Sequence, residues 1–537
     1  MTLERSPSRG SCTASRFLTL CTILTFGGRR PESPFDSCFK SIGNLVQTLH
    51  RAFNLKAPLA AFLFCRRREN NMPPRNLLVI GLTIVVSLAC YSVASKNRYA
   101  NLFAEAMEVI DQQSLREVPR EKLFVSAMEG MMEDLDEHSM YISGEMFQVF
   151  DEDIRQEFGG VGMYVETDPQ TKQLFVLAPM PGTPAFEAGL RAGDRIEKID
   201  GEETAGKSRR EAVKNLRGPI GKTVELDIER GDEHFTVNLN RAVIPVASAH
   251  GDYRNPDGTW RFVLKENARI GYIRLIQFGE KSTDEMRNAL NQSKGKIDGL
   301  IIDLRNNSGG LLDVAIDICD MFLPTDLPIV RTRGRDKQLV RGGEYFSTAS
   351  LDLNPGIPIC ILVNRNSASA SEIVAGCLQD HGRAILIGEQ SWGKGTVQNV
   401  IPIQRGESAL KLTTASYWRP SGKNIDRYDD VSKETKIWGV QPNEGFAIEL
   451  TEDEVFANIR NRNIRDLQGL VTERESELIS NMRNFETPAD SDTPDQQETP
   501  VADDGPEGES RSPHVDLPLQ RAIEYFELQF SKNQIAA

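Results

Sequence analysis

A strand, a turn rich in small residues and a helix follow one another twice in this chain, and this repeat constrains the fold more than any other feature. The first copy comprises the apolar-centred strand Asp298–Arg305, the turn Asn306–Gly310 and the helix Leu311–Phe322. The second comprises the apolar strand Ile359–Val363 and the run Ser367–Glu372, which leads into a helical pattern. Strands that alternate with helices are joined by crossover connections. The repeat therefore predicts a layered α/β domain.

We place this α/β domain at residues 245–450, because further elements of the same kind flank the repeat. The pattern predicts a strand at Gly271–Leu275, a helix at Ser282–Gln292 and a short strand at Ala384–Gly388. The region contains no GxGxxG motif and no P-loop, so nucleotide binding has no support in the sequence.

Charge and cysteine content exclude several classes of protein. The net charge of −14, without a stripe rich in lysine or arginine, argues against a general nucleic-acid binder. Cys319, Cys360 and Cys377 lie in apolar contexts without CxxC spacing, so we expect buried free thiols. We expect neither a disulfide framework nor a metal site, and no cofactor.

An uncharged apolar run, Leu77–Ala94, predicts a transmembrane anchor or a signal peptide at residues 76–95. Arg66, Arg67, Arg68 and Arg75 precede it, which favours an internal N-terminus and export of the remainder. Val93–Ser95 is a weak cleavage site for the alternative of a signal peptide. Residues 1–71 show no coherent period and are compatible with a stretch upstream of the working start codon.

Three flanking regions are predicted to be helical or unstructured. Apolar residues follow a helical period at 99–150, which favours a helical prodomain or a dimerisation segment, in which His138 has a structural or capping role. Residues 451–485 are helical and charged in pattern. Glu486–Glu509 carries nine carboxylates and no basic residue, which predicts a disordered acidic linker at 486–514. An amphipathic helix, Leu519–Phe530, occupies the final segment 515–537 and is suited to dock back.

Residues 151–243 resemble a PDZ domain of the circularly permuted type. Short strands alternate with glycine turns here, and a helix at Arg209–Leu216 precedes a strand at Val224–Glu229. The loop before the strand Tyr164–Glu166 matches the PDZ segment whose backbone N–H groups take a peptide C-terminal carboxylate. The loop residues are Gly160, Val161, Gly162 and Met163. The alternative is that these glycines serve only as turns.

The second turn of the repeat is a plausible place for a nucleophile, because a serine at a strand-to-helix junction exposes its hydroxyl beside free backbone N–H groups. None of the six histidines stands in a recognisable catalytic motif, and His381 lies in an Asp-His-Gly turn. Lysine can replace histidine as the base when burial lowers its pKa. Lys394 lies between two glycines, and Gln398 follows it by four residues. The alternative is that Gly-Lys-Gly is a surface turn and that the serines only cap a helix.

Residues 99–450 resemble the carboxyl-terminal processing peptidases, also called tail-specific proteases. The resemblance rests on the order and spacing of Ser367–Glu372, Gly393–Gln398, Asp303–Asn307 with Gly309-Gly310, and the upstream PDZ-like region. It implies a multidomain fold with a layered β/α core of the crotonase or Clp type, an inserted PDZ domain, and helical N- and C-terminal segments.

The resemblance also implies roles for individual residues. The nucleophile would be Ser369, the lysine base Lys394, and the residue that positions the lysine Gln398. The oxyanion donors would be the backbone amides of Ala370 and of Gly309 or Gly310. Arg217, in the Leu-Arg-Gly segment, would take part in switching the protease between inactive and active states.

Substrates and location follow from the same resemblance. It implies a serine endopeptidase that forms an acyl-enzyme and cleaves near the apolar C-termini of exported proteins after the PDZ domain captures the tail. The protein would face the periplasm, either anchored in the inner membrane by a single pass or free after cleavage, and a homodimer is compatible with it. Two positions depart from the family pattern, Glu137 in place of proline and Asn443 in place of aspartate.

Two other functions are compatible with parts of the sequence. Asn307–Gly310 mimics the nucleophile motif of trypsin-like proteases, with Ser308 as the nucleophile, but their PDZ domains usually follow the protease. A catalytically inactive peptide-binding or scaffold protein of the same fold is the second alternative, against which the intact Ser369, Lys394 and Gln398 argue.

Overall fold

The computed structural model describes residues 98–472 and 515–536, except 169–170, 256, 336–337, 349–352 and 436, together with five positions between 80 and 87. The chain divides after Ser126 into two compact units. The predicted segment 1–71, most of the predicted span 76–95 and the predicted acidic linker lie outside the described residues. Among the helices of the described residues, none is both long and apolar enough to cross a membrane.

The first elements of the chain are mainly helical, but they include one strand that the sequence analysis missed. That strand, at residues 140–142, pairs antiparallel with residues 409–411 of the α/β region. Three residues are too few to show a strand period, so only the distant partner reveals it. These elements are α1 Arg98–Gln113, α2 Arg120–Glu133, β1 Met140–Ile142 and α3 Gly144–Arg155.

The PDZ-like region forms its own sheet around an apolar core that includes Leu174, Ile196 and Leu226. Its elements are β2 Glu157–Gly160, β3 Met163–Thr167, β4 Leu174–Pro179, α4 Pro184–Glu187, β5 Arg195–Ile199, β6 Glu202–Glu203, α5 Arg209–Leu216, β7 Thr223–Arg230, β8 Glu233–Asn240 and β9 Ala242–Pro245. The strand order is β3-β4-β5-β7-β8, with β6 on β5, so β3 lies at an edge of this sheet.

The central sheet of the α/β region has the order β10-β13-β14-β17-β18, and its last four strands are parallel. The elements of this region are β10 Ala249–His250, β11 Tyr253–Arg254, β12 Trp260–Arg261, β13 Ile270–Leu275, α6 Ser282–Ser293, β14 Gly299–Asp303, α7 Leu312–Asp320, β15 Pro328–Arg333, β16 Leu339–Phe346, β17 Ile359–Val363, α8 Ala370–Asp380 and β18 Ala384–Gly388.

A second sheet and three helices complete the described chain. The second sheet is antiparallel, with the order β1-β20-β15-β16 and with β19 also paired to β20. β1 therefore belongs to the α/β region, although it precedes the PDZ-like region in the sequence. The remaining elements are β19 Thr396–Ile403, β20 Ser408–Trp418, α9 Asp430–Thr435, α10 Glu452–Leu467 and α11 Leu517–Ala536.

Helices cover both faces of the central sheet, which explains why its strands are apolar throughout. Ile302 and Ile361 face the core shared with α6, α7 and α8. Ile301 and Cys360 face the opposite way, against the terminal helix α11. Because side chains alternate along a strand, each face needs its own cover. The terminal helix therefore covers one face of the central sheet, and it docks back on the domain as the sequence suggested.

The repeated strand-turn-helix units place their two turns together. β14 and β17 are neighbours and parallel, so the turns that follow them leave the same edge of the sheet. The Leu304 N–H donates to Leu362 O at 2.9 Å, and the Ala368 N–H donates to Asn307 O at 3.0 Å. Such an edge is where α/β folds commonly bind ligands.

Cys319, Cys360 and Cys377 are free and buried, as predicted.

Phe526 tests the importance of the terminal helix. Its side chain is fully buried, and a Cβ at Gly299 would come within 2.5 Å of its ring, so the helix packs closely against β14. Phe526→Ala should lower the free energy of unfolding by about 3–5 kcal/mol. Leu528→Ala is the matched control, because Leu528 is 60% exposed on the same helix and should change stability by less than about 0.5 kcal/mol. Equal effects of the two changes in urea denaturation would contradict the described packing.

Candidate active site

Ser369 occupies a sharp turn between β17 and α8, with backbone angles φ 55° and ψ −114°. A non-glycine residue with positive φ is strained, and such strain persists only where the surroundings impose it. The neighbouring serines differ in their surroundings. The buried Ser367 hydroxyl donates to Leu304 O at 2.8 Å, and the buried Ser371 hydroxyl donates to Asn307 O at 2.9 Å. Ser369 alone of the three is half-buried.

The fully buried carboxylate of Glu372 joins the serine turn to the loop that carries Lys394. Its Oε2 accepts from the N–H of Ser369 at 2.8 Å and from the N–H of Lys394 at 2.9 Å. Its Oε1 accepts from the Ser391 hydroxyl at 2.5 Å and from the Gly393 N–H at 2.7 Å. Burial raises the pKa of Glu372, and these donated hydrogen bonds counteract that effect. One carboxylate oxygen thus holds the amides of both predicted catalytic residues.

The buried hydroxyl of Tyr417 makes a second connection between the same two residues. It donates to the carbonyl oxygen of Ser369 at 3.1 Å and also contacts the carbonyl oxygen of Lys394. Tyr417 lies on β20, which is paired with β19 directly after Lys394. The turn and the loop are therefore bridged on both their N–H and their C=O sides.

The surroundings of Lys394 suit a general base. Burial and the neighbouring Lys411 ammonium lower the pKa of Lys394 to about 8, against the opposing effect of Glu372 and two further carboxylates. A lysine in water has a pKa near 10.4 and is almost entirely protonated at neutral pH. With a pKa of about 8, roughly a tenth of the side chains are neutral at pH 7, and a neutral amine can accept a proton.

Gln398 lies on β19, opposite Thr413 of β20, immediately after an irregularity in the pairing of the two strands. Its Nε2 donates to the Thr396 hydroxyl at 2.8 Å and to the Thr413 hydroxyl at 3.2 Å. The described hydrogen bonds of this amide are thus made by its donor end. No described hydrogen bond engages its oxygen.

Backbone N–H groups stand beside Ser369 where an oxyanion would form. A Cβ at Gly309, which has φ 108°, would lie 2.8 Å from the Ser369 Cβ and 3.0 Å from the Ala370 nitrogen, so only glycine fits there. The Gly309 N–H is used, because it donates to Asn307 Oδ1 at 2.8 Å. In the described part of the structure, the N–H groups of Ala370 and Gly310 have no protein acceptor. Of the two predicted glycines, only Gly310 therefore has an N–H without an acceptor among the described residues, while Gly309 is the one in contact with Ser369.

A buried ionic network supports the turn that contains these glycines. Arg305 donates to Asp303 at 2.7 Å and forms a two-bond pair with Asp516, just before helix α11, at 2.7 and 3.0 Å. Burial disfavours the charge of Asp303, but Arg305 and the Tyr272 hydroxyl overcome this and hold its pKa at about 2. Asp303 therefore stays ionised, and Arg305 keeps two carboxylate partners.

The turn Asp136–Ser139 also reaches the site, which the sequence analysis did not foresee. The Thr413 hydroxyl, which contacts Gln398, donates to Asp136 Oδ1 at 2.9 Å. Burial and the nearby Lys394 lower the pKa of His138. The His138 N–H donates to Asp136 Oδ1 at 2.9 Å, so the side chain that caps this turn is that of Asp136, and the structural or capping role of His138 stays a prediction. No local pattern could have placed this turn here, because the ladder between β1 and β20 brings it in from before the PDZ-like region.

The predicted carboxylate loop of the PDZ-like region lies directly before the edge strand β3. Its carbonyl groups face the domain, since Val161 O accepts from the Ala185 N–H and Gly162 O accepts from the Thr183 hydroxyl. In the described part of the chain, the Val161 and Gly162 N–H groups have no protein acceptor. Free N–H groups beside an open strand edge are the geometry that binds an extended peptide end.

Arg217 ends helix α5, and none of its described contacts is with Ser369, Lys394 or Gln398. Its guanidinium lies 4.3 Å from the centroid of the Phe158 ring, and its charge lowers the pKa of Glu152 against the effect of burial. Its Nε is buried without a hydrogen-bond partner. The structure thus places Arg217 where β2 and α3 meet, away from the predicted catalytic residues.

His234, His250 and His381 make their contacts away from Ser369 and Lys394, whereas His138 lies in the turn that reaches the site. The His381 ring contacts Pro328 O at 2.7 Å, and the His250 ring contacts Ala247 O at 3.0 Å. The described hydrogen bonds link no histidine to Ser308, which the trypsin-like alternative requires. Among the described residues, no group of three or more histidine, cysteine or acidic side chains could hold a metal ion.

Comparisons with known proteins agree with this geometry. Residues 269–444 match the model of peptidase family S41, and residues 175–230 match the model of a PDZ domain. The chain is 38% identical over 396 residues to a carboxy-terminal-processing protease of Bartonella bacilliformis, covering 71% of this chain and 86% of the relative. It is 31% identical over 349 residues to the carboxy-terminal processing protease CtpB of Bacillus subtilis, covering 64% and 69%.

A solved structure is also similar. A photosystem II D1 C-terminal processing protease matches with 26% identity and a TM-score of 0.35, over 69% of this chain and 98% of that protein. The prediction of a multidomain α/β serine peptidase is confirmed, and both the trypsin-like and the non-enzymatic alternatives are wrong. The chain belongs to peptidase family S41, among the carboxy-terminal-processing serine proteases.

Proposed function

We propose that this peptidase cleaves proteins near apolar C-termini by a Ser369–Lys394 dyad and recognises the tails through its PDZ domain. The single observation that carries the proposal is the Glu372 carboxylate, which binds the amides of Ser369 and Lys394 on one oxygen. The lowered pKa of Lys394 supports it, because a dyad without histidine needs a neutral amine.

The reaction would begin with proton transfer from the Ser369 hydroxyl to the neutral Lys394 amine. The serine Oγ forms a bond to the scissile carbonyl carbon, whose oxygen becomes an oxyanion bound by the N–H groups of Ala370 and Gly310. The protonated lysine then gives its proton to the leaving amine as the C–N bond breaks, which leaves an ester on Ser369. Each oxyanion donor of this kind typically contributes about 10²–10³-fold in rate.

Hydrolysis of the ester would use the same groups in reverse order. Lys394, neutral again, takes a proton from a water molecule that attacks the ester carbonyl. The tetrahedral intermediate collapses, the proton returns to Ser369 Oγ, and the substrate leaves with a new carboxylate. Gln398, with its oxygen available, would hold the amine in place through both steps.

The PDZ domain would select the substrate. The open edge of β3 can pair with an extended peptide, while the N–H groups of Val161 and Gly162 can bind its terminal carboxylate. This mode of binding favours substrates with exposed C-terminal tails. We assign Arg217 to the switching of this domain, on the resemblance to relatives alone.

Export and assembly are part of the same proposal. The arginines before the apolar run 77–94 favour a chain that faces the periplasm, either anchored by a single pass or released. Helix α1 exposes several large apolar side chains, which supports a homodimer. These side chains are Tyr99, Leu102, Phe103, Val109 and Ile110.

Ser369→Ala and Lys394→Ala should each lower kcat/KM for a peptide with an apolar C-terminus by at least about 10³-fold, because each removes a reacting group. Product formation by mass spectrometry is the measurement, and circular dichroism checks the fold. Ser308→Ala is the control, since its side chain is exposed and outside the proposed chemistry. Activity that survives Ser369→Ala would overturn the dyad.

The pH dependence of kcat/KM should report the ionisation of Lys394. Because the base must be neutral, kcat/KM should rise with pH and level off above a pH of about 8. Lys411→Met removes the neighbouring charge that lowers the pKa of Lys394, so the rise should shift to higher pH. Lys423→Met, an exposed lysine, should leave the profile in place. A profile that moves equally in both variants would contradict the assigned coupling.

Glu372→Gln should destabilise the protein and lower its activity. An amide has only one acceptor oxygen, so at least one buried N–H that the carboxylate now satisfies would lose its partner, at a cost of about 1–3 kcal/mol. Chemical denaturation measures the stability, and kcat measures the activity. Glu407→Gln, an exposed substitution of the same kind, is the control. Unchanged stability and kcat in Glu372→Gln would show that the carboxylate does not hold the two loops.

A further inference from the structure

The orientation of the Gln398 amide decides whether this residue can serve the lysine. Nε2 of Gln398 donates to the hydroxyls of Thr396 and Thr413. A hydroxyl can accept or donate a hydrogen bond, so two threonines alone would also tolerate the flipped amide. In the flipped orientation the amide would present N–H groups to the lysine amine in place of its oxygen. Something else must set the direction of these hydrogen bonds.

The carboxylate of Asp136 sets that direction. The Thr413 hydroxyl donates its single proton to Asp136 Oδ1 at 2.9 Å. A carboxylate only accepts hydrogen bonds, so this proton cannot point toward Gln398. The Thr413 oxygen must then accept from Gln398, and it is the Nε2 end of the amide that faces it. The oxygen of the amide is left on the other side.

Asp136 is itself held firmly in an ionised form. Its Oδ1 accepts from the N–H groups of His138 and Ser139, both at 2.9 Å, and its Oδ2 accepts from the Ser139 hydroxyl at 2.7 Å. Partial burial raises its pKa, but these hydrogen bonds and the one from Thr413 outweigh burial and leave the pKa below the ordinary value. The Thr413 N–H also donates to the Ser139 hydroxyl at 3.1 Å, so the turn and β20 are joined twice.

We propose that Asp136 is a positioning residue of the active site: through the Thr413 hydroxyl, its carboxylate orients the Gln398 amide so that Oε1 is available to the Lys394 amine. The chain of contacts runs from Asp136 to Thr413 to Gln398, and the irregularity between Val397 and Gln398 in the β19–β20 pairing sets Gln398 opposite Thr413. The inference rests on the proposed Ser369–Lys394 function. It adds that the segment before the PDZ domain supplies part of the site.

Thr413→Val breaks the chain while keeping the shape of the side chain. It should lower kcat about 10-fold, the effect of one positioning hydrogen bond, and change KM by less than about 2-fold. Thr413→Ser, which restores a hydroxyl, should recover most of the lost kcat. Thr236→Val is the control, because the exposed Thr236 hydroxyl also donates to a carboxylate, that of Asp227 at 2.7 Å, outside the chain of contacts.

A double-mutant cycle with Gln398→Ala separates positioning from general support of the strand. If Thr413 acts through Gln398, Thr413→Val should have no further effect on kcat in the Gln398→Ala background. A second cycle combines Asp136→Ala with Gln398→Ala and tests the same chain of contacts from its other end. It replaces the first cycle if thermal unfolding shows that Thr413→Val is too unstable to assay. In both cycles the variants are made in the full chain and assayed on the same apolar-tailed peptide.

The outcomes separate the inference from the function on which it rests. Wild-type protein that does not cleave the peptide, or a Ser369→Ala variant that does, overturns the proposed function. With that function intact, the inference is overturned by a Thr413→Val variant as active as Thr236→Val. It is also overturned by losses in Thr413→Val and Gln398→Ala that multiply, because the threonine would then act by another route.

Discussion

The Glu372 carboxylate is the interaction on which the rest of the site depends. The turn of Ser369 and the loop of Lys394 come from different parts of the α/β region, and a buried charge is tolerated only where donors surround it. Four donors from the two segments converge on Glu372, so neither segment can move without leaving a buried charge poorly bound. The strained backbone of Ser369 is one result, because its N–H is held at this carboxylate.

This arrangement creates an electrostatic conflict that the surroundings of Lys394 resolve. A carboxylate close to a lysine favours the ammonium form, which cannot act as a base. Glu372 satisfies backbone amides with both oxygens, and burial together with the Lys411 charge outweighs its effect on the lysine. The same carboxylate can therefore hold the turn and the loop together without keeping Lys394 protonated.

Much of the fold could be predicted from local sequence patterns. The apolar strands at 359–363 and 384–388 are found where predicted, and helix α5 has its predicted bounds, since a Ser208–Glu211 capping box fixes its start. Both glycine- and serine-rich turns follow parallel strands, so their meeting at one sheet edge follows from the repeat. The family resemblance then separated Ser369 from its neighbours, for which the residues alone gave no reason.

Contacts between distant segments could not be predicted from the sequence. The contacts of Glu372 could not be predicted, because its partners Gly393 and Lys394 lie some twenty residues away. No local sequence pattern indicates the contacts of Tyr417, and β1 is too short to show a strand period. The choice between Gly309 and Gly310 also needed coordinates, because it depends on whether an N–H is already used by Asn307. These features are hydrogen-bond partnerships, which periodicity does not encode.

The pairing of Arg305 with Asp516 bears on the order in which the molecule becomes competent. Arg305 lies directly before the turn that holds Gly309 and Gly310, yet one of its two carboxylate partners is more than 200 residues later in the chain. A ribosome makes that partner after both Ser369 and Lys394. Until it arrives, a buried guanidinium beside the oxyanion turn lacks half of its compensation. We therefore expect a nascent chain to contain Ser369 and Lys394 before the turn of Gly309 and Gly310 is stable, so that proteolysis begins only after the segment with Asp516 has been made.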